Sequence, residues 1–149
     1  MCSASRQWRP LLATITLAVP LAVAAAAAQS AVPASTAEAI LVRQDSSDCA
    51  NSDVKADDPS RIGGTVRITR QADGKVGVRV AITASPDTVY HFFLKCVRQL
   101  GDIRTEDEGE ATAEFEFAAD TAPPVLTFDM YPEGAPAGQK FQSTPVKLP

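Results

Sequence analysis

A single imidazole limits the chemistry open to this chain, because His91 is the one histidine among 149 residues. A Ser-His-Asp or Cys-His arrangement needs a nucleophile and an orienting acid that converge on that ring, and no local motif announces either. Ser85 and Asp87 stand nearby, but Ser-Pro-Asp is ordinary turn composition. The residues around it, Val89-Tyr90-His91-Phe92-Phe93, alternate as a strand does, so His91 reads as a strand residue and no catalytic residue is assigned. The enzymatic alternative is a hydrolase or metal-dependent enzyme that joins His91 to carboxylates from distant strands.

Carboxylates are the second resource. Asp45, Asp48, Asp53, Asp57 and Asp58 crowd one polar stretch, and hard oxygen ligands of this kind hold calcium outside cells. Their spacing does not match a twelve-residue calcium loop, and Lys55 and Arg61 supply local neutralisation. A solvated acidic loop is the simpler account, as it is for Glu106, Asp107, Glu108 and Glu110. Gly63-Gly64 opens no helix, and paired-cysteine metal motifs are absent, so no metal and no cofactor is assigned.

The three cysteines depend on what happens to the N-terminus. Arg6 and Arg9 precede an uncharged run from Leu11 to Ala28 that ends in small residues, the layout of a secretory signal peptide over residues 1–28. The competing reading is a retained anchor that tethers the domain to a membrane. Pro20 interrupts the run, alanine dominates it and no basic stop-transfer cluster follows. Cys2 lies before the apolar stretch, where lipid attachment after processing does not occur. Cleavage leaves Cys49 and Cys96. In an oxidising compartment such a pair forms a disulfide, here closing 46 intervening residues, with a stabilisation of about 3 to 4 kcal/mol on chain-entropy grounds. The bridge is expected to tie an irregular N-terminal stretch to a core strand.

Cleavage also removes two of 14 basic residues, so that 12 face 18 acidic ones and the formal charge moves from −4 to −6. Neither nucleic acid nor an anionic membrane surface suits a chain whose cations are outnumbered and scattered. What remains is about 120 residues, enough for one domain with a real core.

The elements that position these residues are strands. Gln29 to Glu38 has no apolar period and reads as a flexible linker, residues 29–38, followed by one domain over residues 39–149. Val66 and Ile68, and then Val76, Val78, Val80 and Ile82, alternate with polar or small residues. Between them Asp73-Gly74 can supply the positive φ angles of a tight turn. Thr88 to Val97 places Tyr90, Phe92, Leu94 and Cys96 on one face, with Val89, His91, Phe93, Lys95 and Val97 on the other. Glu110 to Phe117 turns Ala111, Ala113, Phe115 and Phe117 inward, and Val125 to Met130 does so with Leu126, Phe128 and Met130. Phe141 to Leu148 forms a last strand interrupted by Pro145, and shorter strands fit Ala39 to Arg43 and Asp102 to Thr105. Seven or eight short strands with frequent Pro and Gly predict an all-β, small antiparallel two-sheet sandwich, with an open β-barrel as the alternative.

Val80-Ala81-Ile82-Thr83, Ser85-Pro86-Asp87-Thr88-Val89-Tyr90 leading to Leu94-Lys95-Cys96, and Leu100 to Ala111 together resemble small secreted bacterial immunoglobulin-like domains over residues 63–118. The resemblance rests on turn chemistry and alternation, and it implies the sandwich fold. Apoproteins that carry enediyne chromophores share that layout but usually have two disulfides, whereas this chain offers one pair. The functional expectation is an exported, non-enzymatic binding or interaction domain, secreted or periplasmic in a bacterium. It would recognise a protein, peptide or small apolar ligand through loops such as Tyr131 to Gly138 or through a sheet edge.

Overall fold

The computed structural model describes residues 35–45, Cys49 and residues 54–149. The signal segment 1–28 and residues 29–34 lie outside the described residues, as do Asp48 and Asp53. The fold is all-β, antiparallel and sandwich-like, as the alternation predicts. Its strands are β1 (Thr36–Arg43), β2 (Ile62–Arg70), β3 (Lys75–Thr83), β4 (Val89–Leu94), β5 (Arg98–Arg104), β6 (Glu110–Ala118), β7 (Val125–Leu126), β8 (Phe128–Pro132), β9 (Phe141–Ser143) and β10 (Val146–Lys147). Eight of them form one sheet in the order β5-β4-β8-β9-β1-β2-β3-β6, and β7 pairs with β10 in a small second sheet.

Two aromatic stacks show how the large sheet closes on a core. Phe92 of β4 lies 5.2 Å from Phe115 of β6 and 5.4 Å from Phe128 of β8, both rings stacked on it. Because β4 and β6 stand near opposite ends of the strand order, the sheet must fold over so that its halves face each other. Tyr90, Phe128, Met130, Leu41, Val66, Ile68 and Val80 fill the space between and are wholly buried. Backbone approaches at two glycines: a Cβ on Gly63 would stand 2.1 Å from the Phe141 ring, and one on Gly101 would stand 2.6 Å from Phe115.

Several boundaries differ from the sequence expectation. β1 begins at Thr36, so Thr36, Ala37 and Glu38 belong to a strand and not to the linker 29–38, because they pair in register with Thr69, Ile68 and Arg67 of β2. Only Gly74 of the Asp73-Gly74 pair takes a positive φ (84°), and Asp73 instead accepts the Lys75 N–H at 3.1 Å. The strand expected over Asp102 to Thr105 starts earlier, at Arg98. The two C-terminal strands each split, at Thr127 and at Thr144-Pro145, giving ten strands among the described residues where seven or eight were expected. Thr144 explains the second break, since its N–H donates to Ile40 O and its hydroxyl accepts from Ile40 N, which ends β9 before Pro145.

The expected strand from Thr88 to Val97 ends at Leu94. Lys95, Cys96 and Val97 form the turn into β5, closed by the Val97 N–H on Leu94 O. Cys96 is therefore exposed, at φ 56°, and does not share the inward face of Tyr90, Phe92 and Leu94. It is bonded to Cys49, with the Cα atoms 5.8 Å apart, so the bridge ties the N-terminal stretch to a turn and not to a core strand.

Replacing Phe92 with Ala removes the ring shared by both stacks and leaves a cavity in the centre of the core. The expected loss is about 3 to 5 kcal/mol, read as a lower urea midpoint with little change in slope. The double substitution Cys49→Ser and Cys96→Ser is expected to cost about 2 to 4 kcal/mol, against no loss when the reduced wild-type chain is the reference.

Candidate functional site

Period-two geometry sends Val89, His91 and Phe93 to the face of β4 that points away from the core. The β4–β5 register sets Asp102 directly opposite His91, and the β4–β8 register sets Tyr131 on its other side. A bulge completes the group. Phe92 pairs with Gly101 but Phe93 pairs with Gln99, so Leu100 is the extra residue and Gln99 joins Asp102 on the outer face.

Both ring nitrogens of His91 meet carboxylates. Nδ1 lies 2.7 Å from Asp102 Oδ1, and Nε2 lies 3.3 Å from an oxygen of Glu133, the first residue after β8. Gln99 donates its amide to the same Asp102 oxygen at 2.7 Å. The imidazole is 26% exposed, whereas Glu133 is 97% exposed. The Asp102 carboxylate holds the His91 pKa above its ordinary value. Partial burial of the ring opposes this rise, and Glu133 adds to it. Beside the pair, Phe93 and Tyr131 stack at 4.9 Å outside the core, each half-buried.

Ser85 and Asp87, which stand near His91 in the sequence, are used by the β3–β4 turn. Ser85 N–H donates to the Tyr90 hydroxyl, Ser85 O accepts from Thr105, and Asp87 takes a positive φ of 49°. Neither contacts His91 among the described contacts. The acid that does so, Asp102, was legible only as part of a strand, and Glu133 only as part of a loop. Placing the turn at Lys95 to Val97 would have set Gly101 opposite His91, and only the bulge at Leu100 moves Asp102 into that position, a shift that no glycine or proline in the sequence marks at that residue. The loop itself is shorter than Tyr131 to Gly138, because Tyr131 and Pro132 belong to β8.

Farther along the same outer face lies a second buried cluster. The Lys95 ammonium donates to the Gln142 side-chain oxygen and stands 3.4 Å from Asp129, with its side chain 1% exposed. Val42 and Val54 are buried outside the main core. Cys96 is next to Lys95 in the turn, so the disulfide fastens the N-terminal segment beside this cluster. Of the acidic loop, Asp45 accepts the Gly138 N–H at 3.0 Å, and Asp58 accepts from the N–H and hydroxyl of Ser60, which lower its pKa. Among the described residues no three histidines, cysteines or carboxylates converge on a point where a metal ion would sit.

The arrangement can orient and charge an imidazole. Nδ1 and Nε2 both face carboxylates, and among the described contacts no hydroxyl or thiol stands at either nitrogen. No known family model matches the chain, and no curated protein matches it.

The pH dependence follows from the two contacts. In the unfolded chain His91 titrates near its ordinary value, about 6.5, and in the folded chain above it. Its contribution to stability is therefore fully present below about pH 6.5 and is lost as pH rises through the folded pKa. A proton NMR titration of the single imidazole is expected to show the raised value. Asp102→Asn is expected to lower it by more than Glu133→Gln does, and an unchanged value in Asp102→Asn would contradict the assignment.

Proposed function

We propose that this chain is an exported, non-enzymatic binding domain whose recognition surface is the outer face of β4 and β8 with the loop that follows β8. The observation that carries the reading is the occupied imidazole beside a half-buried aromatic pair outside the core. His91 is committed to Asp102 and Glu133, while Phe93 and Tyr131 leave apolar surface on the side of the sheet that the core does not use. Aromatic side chains of this kind give contact area at low entropic cost, and the neighbouring carboxylates add directional hydrogen bonds. The partner class is a protein, a peptide or a small apolar ligand.

Export is supported by the arginines and apolar run of residues 1–28 and by the Cys49–Cys96 bridge, which suits an oxidising compartment. No helix among the described residues is long and apolar enough to cross a membrane. A bacterial secreted or periplasmic location with a cleaved signal fits both. A chain still tethered by its signal segment is the variant that N-terminal sequencing separates.

One observation favours a hydrolase instead. The 2.7 Å contact between His91 Nδ1 and Asp102 matches the way an acid orients a catalytic base. Against it, Glu133 fills the place where a nucleophile would meet Nε2.

The test has two arms. Peptides selected from a displayed random library against the intact oxidised protein are expected to lose roughly tenfold or more in affinity to Phe93→Ala and Tyr131→Ala, with circular dichroism unchanged. Nitrophenyl ester hydrolysis is expected to be the same for wild type and His91→Asn. A rate that falls about tenfold or more in His91→Asn would overturn the non-enzymatic reading, and peptides indifferent to both aromatic substitutions would overturn the surface.

A further inference from the structure

The outer face of β2, β3 and β6 carries a feature that the fold does not require. Glu38, Arg67, Arg79 and Glu114 form one row across β1, β2, β3 and β6. Arg67 and Arg79 stand directly opposite each other, and like charges so placed disfavour strand pairing. Each sends one N–H group sideways, to Glu38 and to Glu114 at 3.2 Å, and both side chains remain 63% exposed with donors to spare.

The next row, Thr69, Gly77 and Glu116, has no side chain at its centre. Gly77 does not take a positive φ, so backbone conformation does not demand glycine there. A Cβ would meet the Gln71 amide nitrogen at 3.0 Å, the far end of a flexible side chain, and no backbone atom within tight contact. A glycine in mid-strand weakens the strand and often marks the close approach of something else. The opposed arginines and the glycine, with the flexible Gln71 amide beside it, adjoin one open depression of about 470 Å³.

We infer that this depression binds an acidic saccharide, with a uronate carboxylate bridging Arg67 and Arg79 and the sugar ring lying on Gly77. Guanidinium forks match a planar carboxylate bidentately. The surrounding groups are a Thr69 hydroxyl, a Gln71 amide and the Glu114 and Glu116 carboxylates, which exchange hydrogen bonds with sugar hydroxyls. Those two carboxylates also disfavour a dianion at a single point, so a saccharide with one carboxylate per ring fits better than inorganic phosphate or sulfate. The site lies on other strands than His91, Phe93 and Tyr131, and its failure would leave the reading of that surface untouched.

The probe is trigalacturonate, titrated into the ¹⁵N-labelled oxidised protein, with maltotriose and sodium sulfate at matched ionic strength as comparisons. Trigalacturonate is expected to give saturable shifts at the Thr69, Gly77 and Glu116 amides, and maltotriose none. Arg67→Gln and Arg79→Gln are each expected to weaken binding roughly tenfold, as the loss of one charge-assisted contact does. Gly77→Val, which suits a strand but fills the floor, is expected to abolish it. No shifts at these amides, equal shifts with sulfate or maltotriose, or undiminished affinity in the arginine variants would each overturn the proposal. Should Gly77→Val not fold, the two exposed arginine positions decide.

Discussion

The stack of Phe115, Phe92 and Phe128 is the contact on which the rest of this structure depends. A sheet of eight strands laid flat would leave one face of β3 and one face of β4 open to water. By placing a β6 ring and a β8 ring against one β4 ring, the chain brings the two ends of the strand order over each other and encloses the valines of β2 and β3. Gly101 and Gly63 belong to the same constraint, because a side chain at either would push an aromatic ring out of its place. The hydrophobic gain of such burial scales with apolar area, and most of that area here is aromatic or branched aliphatic.

Fixing β4 in this way also decides what its other face does. Once Tyr90, Phe92 and Leu94 point inward, Val89, His91 and Phe93 must point outward, whatever their chemistry. The outer face then acquires order from its neighbours. Gln99 arrives by the register that the turn sets, Asp102 by the bulge at Leu100, and Tyr131 by pairing with β8. At the end of the strand the Lys95 ammonium is buried between Gln142 and Asp129, and the adjoining cysteine anchors the N-terminal segment. A buried lysine paired in this manner adds little net stability but penalises arrangements that leave it unpaired. It therefore fixes where the turn sits more than how strongly the domain folds.

How much of this was legible in the chain depended on local signals. β3 was readable to the residue, because Val76, Val78, Val80 and Ile82 alternate without a fault and a glycine marks the turn before them. The β4–β5 turn carries neither glycine nor proline, and the alternation runs on through Cys96 and Val97. Cys96 accepts a left-handed φ that disfavours any residue with a Cβ, held there by a disulfide to a residue 47 positions away, and a linear reading cannot weigh that. With the turn misplaced and the bulge at Leu100 unmarked, the partner of His91 was out of reach. Glu133 was harder still, since its contact depends on a loop that leaves β8 and not on strand register. The splits at Thr127 and Thr144 were hidden for a related reason, because a strand that changes partners keeps its alternation while it does so.

The same geometry bears on what an imidazole between two carboxylates is for. In a catalytic base one nitrogen is oriented by an acid and the other faces the substrate, with the pKa held near working pH so that the proton moves both ways. Here the second nitrogen faces Glu133, and both contacts are satisfied as donors only when the ring is charged. The neutral ring has one N–H and must set its lone pair against one carboxylate. Glu133 is the contact to yield, because it is longer and its residue is almost fully in water, whereas Asp102 is also held by Gln99. Protonation of His91 thus fastens the start of the loop after β8 to the sheet, and deprotonation releases it. That makes the residue a pH-dependent clasp between the sheet and the loop that follows β8.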